Sequence, residues 1–90
     1  MNINGYELEL TCSVSPEQYD VFKNGVQVGY LRMRWGCFSA SCPDAGGKTV
    51  YYSEEPAGYG NFLDEERARF LTESIEAIDK EQTSAQPGAE

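Results

Sequence analysis

Gly47-Lys48-Thr49, the cysteines Cys12, Cys37 and Cys42, the adjacent carboxylates Glu54-Glu55 and Glu65-Glu66, and the arginines Arg32 and Arg34 are the residues of this chain whose types could do chemistry. Spacing decides which of them keep that prospect. Gly47-Lys48-Thr49 has the ending of a phosphate-binding loop, but that loop needs a glycine five residues before Gly47, where Cys42 stands. It also needs a helix afterwards, and the β-branched and aromatic run Lys48 to Ser53 predicts a strand. A zinc site needs four thiolate or imidazole ligands, or three with carboxylate help, and three scattered cysteines with no histidine do not supply it. The lack of histidine also removes the usual general base and the usual partner of a Ser or Cys nucleophile. Adjacent carboxylates do not converge on one substrate atom in a strand or a helix, so they read as solvated surface charge. These failures point away from an enzyme, and no cofactor or metal is expected.

Two groups of residues keep a functional reading. Tyr30, Arg32 and Arg34 alternate, so on a strand they share one face, with Trp35 in the turn beside them. Guanidinium groups bind carboxylate or phosphate, and arginine with aromatic side chains anchors many protein interfaces. The competing expectation is cross-strand pairing with Glu7, Glu9 or Asp20. Glu65, Glu66, Glu73 and Glu76 form the second group. With Asp79 beside them and Glu54 and Glu55 before them, they could imitate a phosphate backbone and occupy the basic nucleic-acid channel of a partner, where complementary charge speeds association. Arg67, Arg69 and Lys80 interrupt that array, and most acidic helix faces only solubilise.

A sheet and a helix must hold these residues. Tyr19 to Cys42, YDVFKNGVQVGYLRMRWGCFSASC, reads as three antiparallel strands joined by two-residue turns at Asn24-Gly25 and Trp35-Gly36. Strict alternation then puts Lys23 opposite Val26, Val21 opposite Val28, Tyr19 opposite Tyr30, Met33 opposite Phe38 and Leu31 opposite Ala40. Phe22, Leu31, Met33, Phe38, Ala40 and Cys42 make a core face. Tyr19, Val21, Val28, Tyr30, Arg32, Arg34, Cys37 and Ser39 make the opposite one, unless a bulge at Gly29 carries some of them across. Ile3 to Cys12 reads as a half-exposed first strand free to join either edge, and Lys48 to Ser53 as the fourth strand of the meander. From Phe62 to about Lys80 the period becomes helical, with Leu63, Arg67, Phe70, Leu71, Ser74, Ile75 and Ile78 on one stripe. Asn61 is the expected N-cap, and Asp64, Glu65 and Glu66 suit the first turn. The expected fold is α+β: an antiparallel β-meander of about four strands (β-β-β-β-α) with one C-terminal amphipathic helix packed across the sheet. It occupies residues 1–80, and 81–90 should be a disordered tail.

Fifteen acidic and seven basic residues give a formal charge of −8, which argues against direct nucleic-acid or anionic-membrane binding. The excess lies in residues 44–90, at −7, against −1 for residues 1–43. Cys37 and Cys42 have opposite parity within one strand and should not pair with each other. With no apolar leader and no run of membrane-spanning length, a reducing cytoplasm is the expected compartment.

YDVFKNGVQVGYLRMRWG, PDAGGKTVYY and DEERARFLTESIEAI, which together span Tyr19 to Ile78, resemble short proteins encoded in bacterial prophages and other mobile elements. Small acidic proteins of that setting are often inhibitors of host defence, anti-CRISPR proteins among them. The resemblance implies a binding inhibitor and assigns no individual residue. Residues and resemblance together lead to the expectation of a small acidic, non-enzymatic protein-binding module that inhibits a host nucleic-acid-handling complex. Its expected contact residues are Tyr30, Arg32, Arg34, Trp35, Glu65, Glu66, Glu73 and Glu76. Two alternatives stay open: a small-ligand or anion-binding domain on the Tyr30, Arg32, Arg34 face, and a homodimer or larger homo-oligomer that pairs its second sheet face or an edge strand with a copy of itself.

Overall fold

The computed structural model describes residues 1–12 and 14–84, the last of these by its backbone. Three two-residue turns account for most of the sheet. Asn4-Gly5 (φ 52° and 86°), Asn24-Gly25 (53° and 81°) and Trp35-Gly36 (52° and 79°) each put both central residues in the left-handed region, as a type I′ hairpin turn requires. They join β1 (Asn2–Ile3) to β2 (Tyr6–Leu10), β3 (Gln18–Lys23) to β4 (Val26–Arg34), and β4 to β5 (Cys37–Cys42). β6 (Lys48–Ser53) follows the turn at Pro43 to Gly47, and α1 (Asp64–Ser84) packs on one face of the sheet. The fold is α+β, and its six strands pair antiparallel in chain order. Six replace the four or so expected because the first-strand segment joins the meander beside β3 and is itself cut at Asn4-Gly5, so that β1 folds back on β2. β2 in turn pairs with β3, which fixes the edge that the N-terminal strands join.

A bulge decides which residues enter the core. Lys23 pairs with Val26 as the turn dictates, but Phe22 pairs with Gln27 and Val21 with Gly29, leaving Val28 as an extra residue in β4. Tyr19 therefore lies opposite Leu31, and Tyr19, Val21 and Val28 are buried beside Leu31, Met33, Phe38 and Ala40. Phe22 goes the other way. It leaves the expected core face and sits half-buried on the opposite one. The exchange is favourable because three large side chains are buried in place of one, at about 1.5–3 kcal/mol each, against about 1 kcal/mol for a disrupted ladder hydrogen bond. Gly29 at the bulge also lets the helix approach, since a Cβ there would stand 2.6 Å from Ile78 Cδ1. The β4–β5 pairing is regular, with Leu31 opposite Ala40, Arg32 opposite Ser39 and Met33 opposite Phe38, as the Trp35-Gly36 turn predicts.

The helix buries Phe70, Leu71, Ser74, Ile75 and Ile78 of its predicted stripe. Phe62 and Phe70 stack at 5.6 Å, and Phe38 meets them edge-on at 4.8 and 6.5 Å, contacts worth about 0.5–1.5 kcal/mol each beyond area burial. Leu63, placed on the stripe by spacing, precedes the helix and is exposed. It serves as the N-cap instead: Leu63 O accepts from the N–H groups of Glu66 and Arg67, each at 3.1 Å, and the Glu66 carboxylate reaches back to Leu63 N at 2.9 Å. Asn61, the expected cap, donates from Nδ2 to Val14 O at 2.9 Å and ties this loop to the β2–β3 connection. The helix runs on through residues 81–84, the first part of the expected tail; the rest of that tail lies outside the described residues. No helix among the described residues is long and apolar enough to cross a membrane.

Candidate functional site

Because α1 takes one face of the sheet, the other face is built from strand side chains alone, and no described element covers it. Pairing sets its rows. Glu9, Asp20, Tyr30 and Ser41 lie side by side across β2 to β5, then Gln18, Arg32, Ser39 and Tyr52 across β3 to β6, then Arg34 and Cys37. Tyr30, Arg32 and Arg34 thus share this face, as alternation from the Trp35-Gly36 turn requires, while Cys42 lies buried on the helix side and Cys37 on the open side.

The arginines pair with none of the acids among the described residues. Among the described residues, ion pairs form at Lys48, Arg67 and Arg69, and none forms at Arg32 or Arg34. Asp20 accepts from Gln27 Nε2 at 3.2 Å, and Tyr30 donates its hydroxyl to Gln18 Oε1, so the nearest polar neighbours on β3 are engaged elsewhere. Arg32 Nε is shut off from water and has no hydrogen-bond acceptor among the described residues. A buried donor in that state costs about 1–3 kcal/mol relative to a satisfied one. Arg34 is exposed and stacks over the Trp35 ring at 4.7 Å.

Trp35 adds backbone strain. It is 65% exposed at φ 52°, a left-handed conformation that asparagine or glycine adopts readily and a bulky side chain rarely. Neighbouring structure holds it there. Gly36 N donates to Tyr59 O at 2.7 Å, so the β4–β5 tip is fastened to the loop before α1 and brings Tyr59, 70% exposed, to the same end of the molecule. The loop is fixed from behind by Glu66, whose carboxylate accepts from Ala57 N at 2.8 Å and Gly58 N at 2.9 Å. Burial pushes the Glu66 carboxyl up, but these N–H groups and that of Leu63 outweigh it and hold it below the usual range. Tyr52, on the edge of the face, donates to Glu54 Oε2 at 2.9 Å, and its phenol is pushed up first by hydrogen bonding with Cys37 and then with Glu54.

The acidic helix group divides. Glu66 is the capping residue just described. Glu73 accepts from Tyr51 Oη at 2.6 Å and from Arg69 Nε at 3.1 Å, which together hold its carboxyl low. Arg69 also reaches Glu55 at 2.7 Å. Glu65 and Glu76 are exposed and carry no hydrogen bond within the described residues. The helix group and the Tyr30, Arg32, Arg34, Trp35 group lie on opposite sides of the sheet, so no single flat contact unites all eight residues.

One cluster went unread in the sequence. Glu17, in the β2–β3 connection, is 6% exposed and its carboxylate accepts from Phe62 N at 2.9 Å, Arg67 Nε at 2.7 Å, Arg67 Nη2 at 3.2 Å and the Tyr19 hydroxyl. Its backbone bonds Gly60 O at 2.8 Å and Met33 N at 2.9 Å. Arg67, assigned to the apolar stripe, was the available signal: an arginine at a buried position needs an acid. Tyr59 belongs to the loop before α1, and only the bond from Gly36 N shows that this loop meets the β4–β5 tip.

Surface hollows of about 300 to 600 Å3 open elsewhere, among them a cleft of about 410 Å3 at the acidic end of this face, lined by Glu7, Glu9 and Phe22 among others. Tyr30, Arg32, Arg34 and Trp35 line none of them. Among the described residues no group of three or more His, Cys, Asp or Glu side chains is placed to hold a metal ion. In comparisons with known proteins, the chain matches no family model, no curated protein and no solved structure.

Proposed function

We propose that this protein is a non-enzymatic protein-binding module that meets its partner through the open sheet face, with Tyr30, Arg32, Arg34 and Trp35 as contact residues. The observation that carries the reading is the unpaired state of Arg32 and Arg34 among the described residues, on a face that no described element covers. Arginine and tryptophan on a flat, rigid surface are the side chains that most often anchor protein contacts. A small anion or ligand is the weaker reading, because these residues line none of the hollows described above and a small molecule needs concavity. The acidic helix is also weaker as the principal contact, since Glu66 and Glu73 are engaged inside the fold. Inhibition of a host nucleic-acid-handling complex, which the resemblance to mobile-element proteins implies, is the narrower form of the same proposal.

The test is affinity capture from a lysate of the organism that encodes the protein, with three baits in parallel. A partner retained by wild type and by Glu65→Lys/Glu76→Lys but lost by Arg32→Glu/Arg34→Glu supports the open face. The reverse pattern, with the double arginine variant still folded by circular dichroism, sinks it and moves the contact to the helix.

A further inference from the structure

The open face also indicates what chemistry its partner presents. We infer that it receives an acidic segment of a partner protein, with a carboxylate completing Arg32 and Arg34 and a neighbouring apolar side chain seated against Trp35 and Tyr59. This rests on the reading of the open face as the contact surface and adds the partner's chemistry.

Three observations converge on it. Arg32 and Arg34 form no ion pair among the described residues, so the anion that neutralises them is one that a partner supplies. A carboxylate does so at an arginine fork in a bidentate manner. Arg32 and Arg34 project from one strand two residues apart, a spacing that matches alternate side chains of an extended chain laid along β4. Finally, Trp35 occupies a turn position where asparagine fits with less strain, and the turn is anchored to Tyr59 O. Strain kept at an exposed aromatic residue, with the backbone of a second exposed aromatic bonded to the same turn, marks a preformed apolar end to the face.

Charge selects the acidic protein over a nucleic acid. Two arginines, with Glu54 beside the face and a formal charge of −8 on the whole chain, give a single carboxylate a local attraction but repel a polyphosphate. A second copy of this chain presents Glu7, Glu9 and Asp20 on the same face and is the other occupant that the experiment must separate.

The experiment is selection of a displayed random peptide library on the immobilised full chain, followed by affinity measurement of the enriched peptides on wild type, Arg32→Ala and Trp35→Asn. Trp35→Asn creates an Asn-Gly type I′ turn, so its urea midpoint should equal or exceed that of wild type, which separates loss of binding from loss of fold. The expected result is enrichment of peptides with one or two acidic residues next to a large apolar one, bound roughly ten- to a hundredfold more weakly by Arg32→Ala, and lost with Trp35→Asn. Enriched peptides without acidic residues that still depend on Trp35 would overturn the acidic partner and leave the open face standing. Peptides indifferent to both substitutions would overturn the face itself. No enrichment at all would rule out a linear segment, and a wild-type dimer that becomes monomeric as Trp35→Asn would put a second copy on the face in place of a foreign partner.

Discussion

Replacing Glu17 by glutamine removes one charge and almost no volume, which makes it the cleanest probe of how the loops are held under the candidate site. In the native arrangement Oε1 faces Phe62 N and Arg67 Nη2, and Oε2 faces Arg67 Nε and the Tyr19 hydroxyl. A glutamine can keep its oxygen toward Phe62 N, but its NH2 group then confronts Arg67 Nε, donor against donor, while the Tyr19 hydroxyl can turn and accept. One charge-assisted bond is lost and a buried guanidinium edge is left unpaired. Breaking a buried ion pair by removing one partner costs about 3–5 kcal/mol. Arg67 retains 29% exposure and its bond to Asp64, so a smaller figure, about 2–3 kcal/mol, is expected. For a domain of this size that lowers Tm by roughly 10–20 °C.

The pH dependence distinguishes this account from a mere packing defect. Burial alone would push the Glu17 carboxyl up, but Arg67, Tyr19 and the Phe62 N–H hold it below its ordinary value of 4.5. A depressed carboxyl contributes stability that is fully present above its unfolded-state value and is lost as pH falls through the folded-state value. The difference between wild type and Glu17→Gln, measured by urea unfolding at a series of pH values, should therefore be flat above pH of about 5 and should shrink as pH drops below 4. Other depressed carboxyls, Glu66 and Glu73 among them, titrate in both proteins and cancel in the difference. A gap below 0.5 kcal/mol at neutral pH, or one that stays constant into acid, would refute the reasoning.

Gly29→Ala must push Ile78 Cδ1 aside, and because that atom ends a flexible side chain the cost should be only about 1–2 kcal/mol; adding Ile78→Val should recover most of it, and simple additivity in the double-mutant cycle would count against the contact. Gly58→Ala has no such escape, since its Cβ would lie 1.9 Å from the backbone oxygen of Asn61, so the loop carrying Tyr59 must shift; amide hydrogen exchange at Gly36, which donates to Tyr59 O, should accelerate, and unchanged protection would contradict this. Burial and the hydrogen bond to Glu73 push the Tyr51 phenol up to about 12, so its neutral form contributes stability that is present below pH of about 10 and lost as pH rises through 12. Tyr51→Phe should remove absorbance change from the late part of an alkaline titration, and a loss centred near 10 would show that the phenol is not held.

The sequence made the β4–β5 hairpin and the helix legible because each is governed by local chemistry. Trp35-Gly36 sets parity for everything from Tyr30 to Cys42, and the apolar stripe from Phe70 to Ile78 repeats with the helical period. The Asn4-Gly5 turn has the same residue types and the same φ signs as Asn24-Gly25, but the alternation of Tyr6, Leu8 and Leu10 beyond it masks the signal. The faces of Tyr19, Val21 and Phe22 were illegible for a different reason: a one-residue bulge reverses parity, and its position depends on how much apolar area each register buries against a helix more than forty residues away in the chain. Glu17 shows the same limit. A glutamate in a proline-containing connection looks solvated until Arg67 and Phe62 N arrive beside it.

That division by range also explains the character of the candidate site. Arg32 and Arg34 face outward through the Trp35-Gly36 turn alone, so their exposure does not depend on the bulge at Val28. What the bulge changes is their company. Without it Tyr19 and Val21 would flank them, and apolar stems of that kind would shield the guanidinium groups and invite a covering layer. With it, Gln18 and Asp20 come to the open side, and both are engaged, in bonds to Tyr30 and Gln27. The core takes the apolar side chains of β3, and the arginines are left among polar neighbours that do not neutralise them. Their charge therefore stays available to an incoming carboxylate, on a surface whose apolar anchor is confined to the strained tip at Trp35 and the adjoining Tyr59.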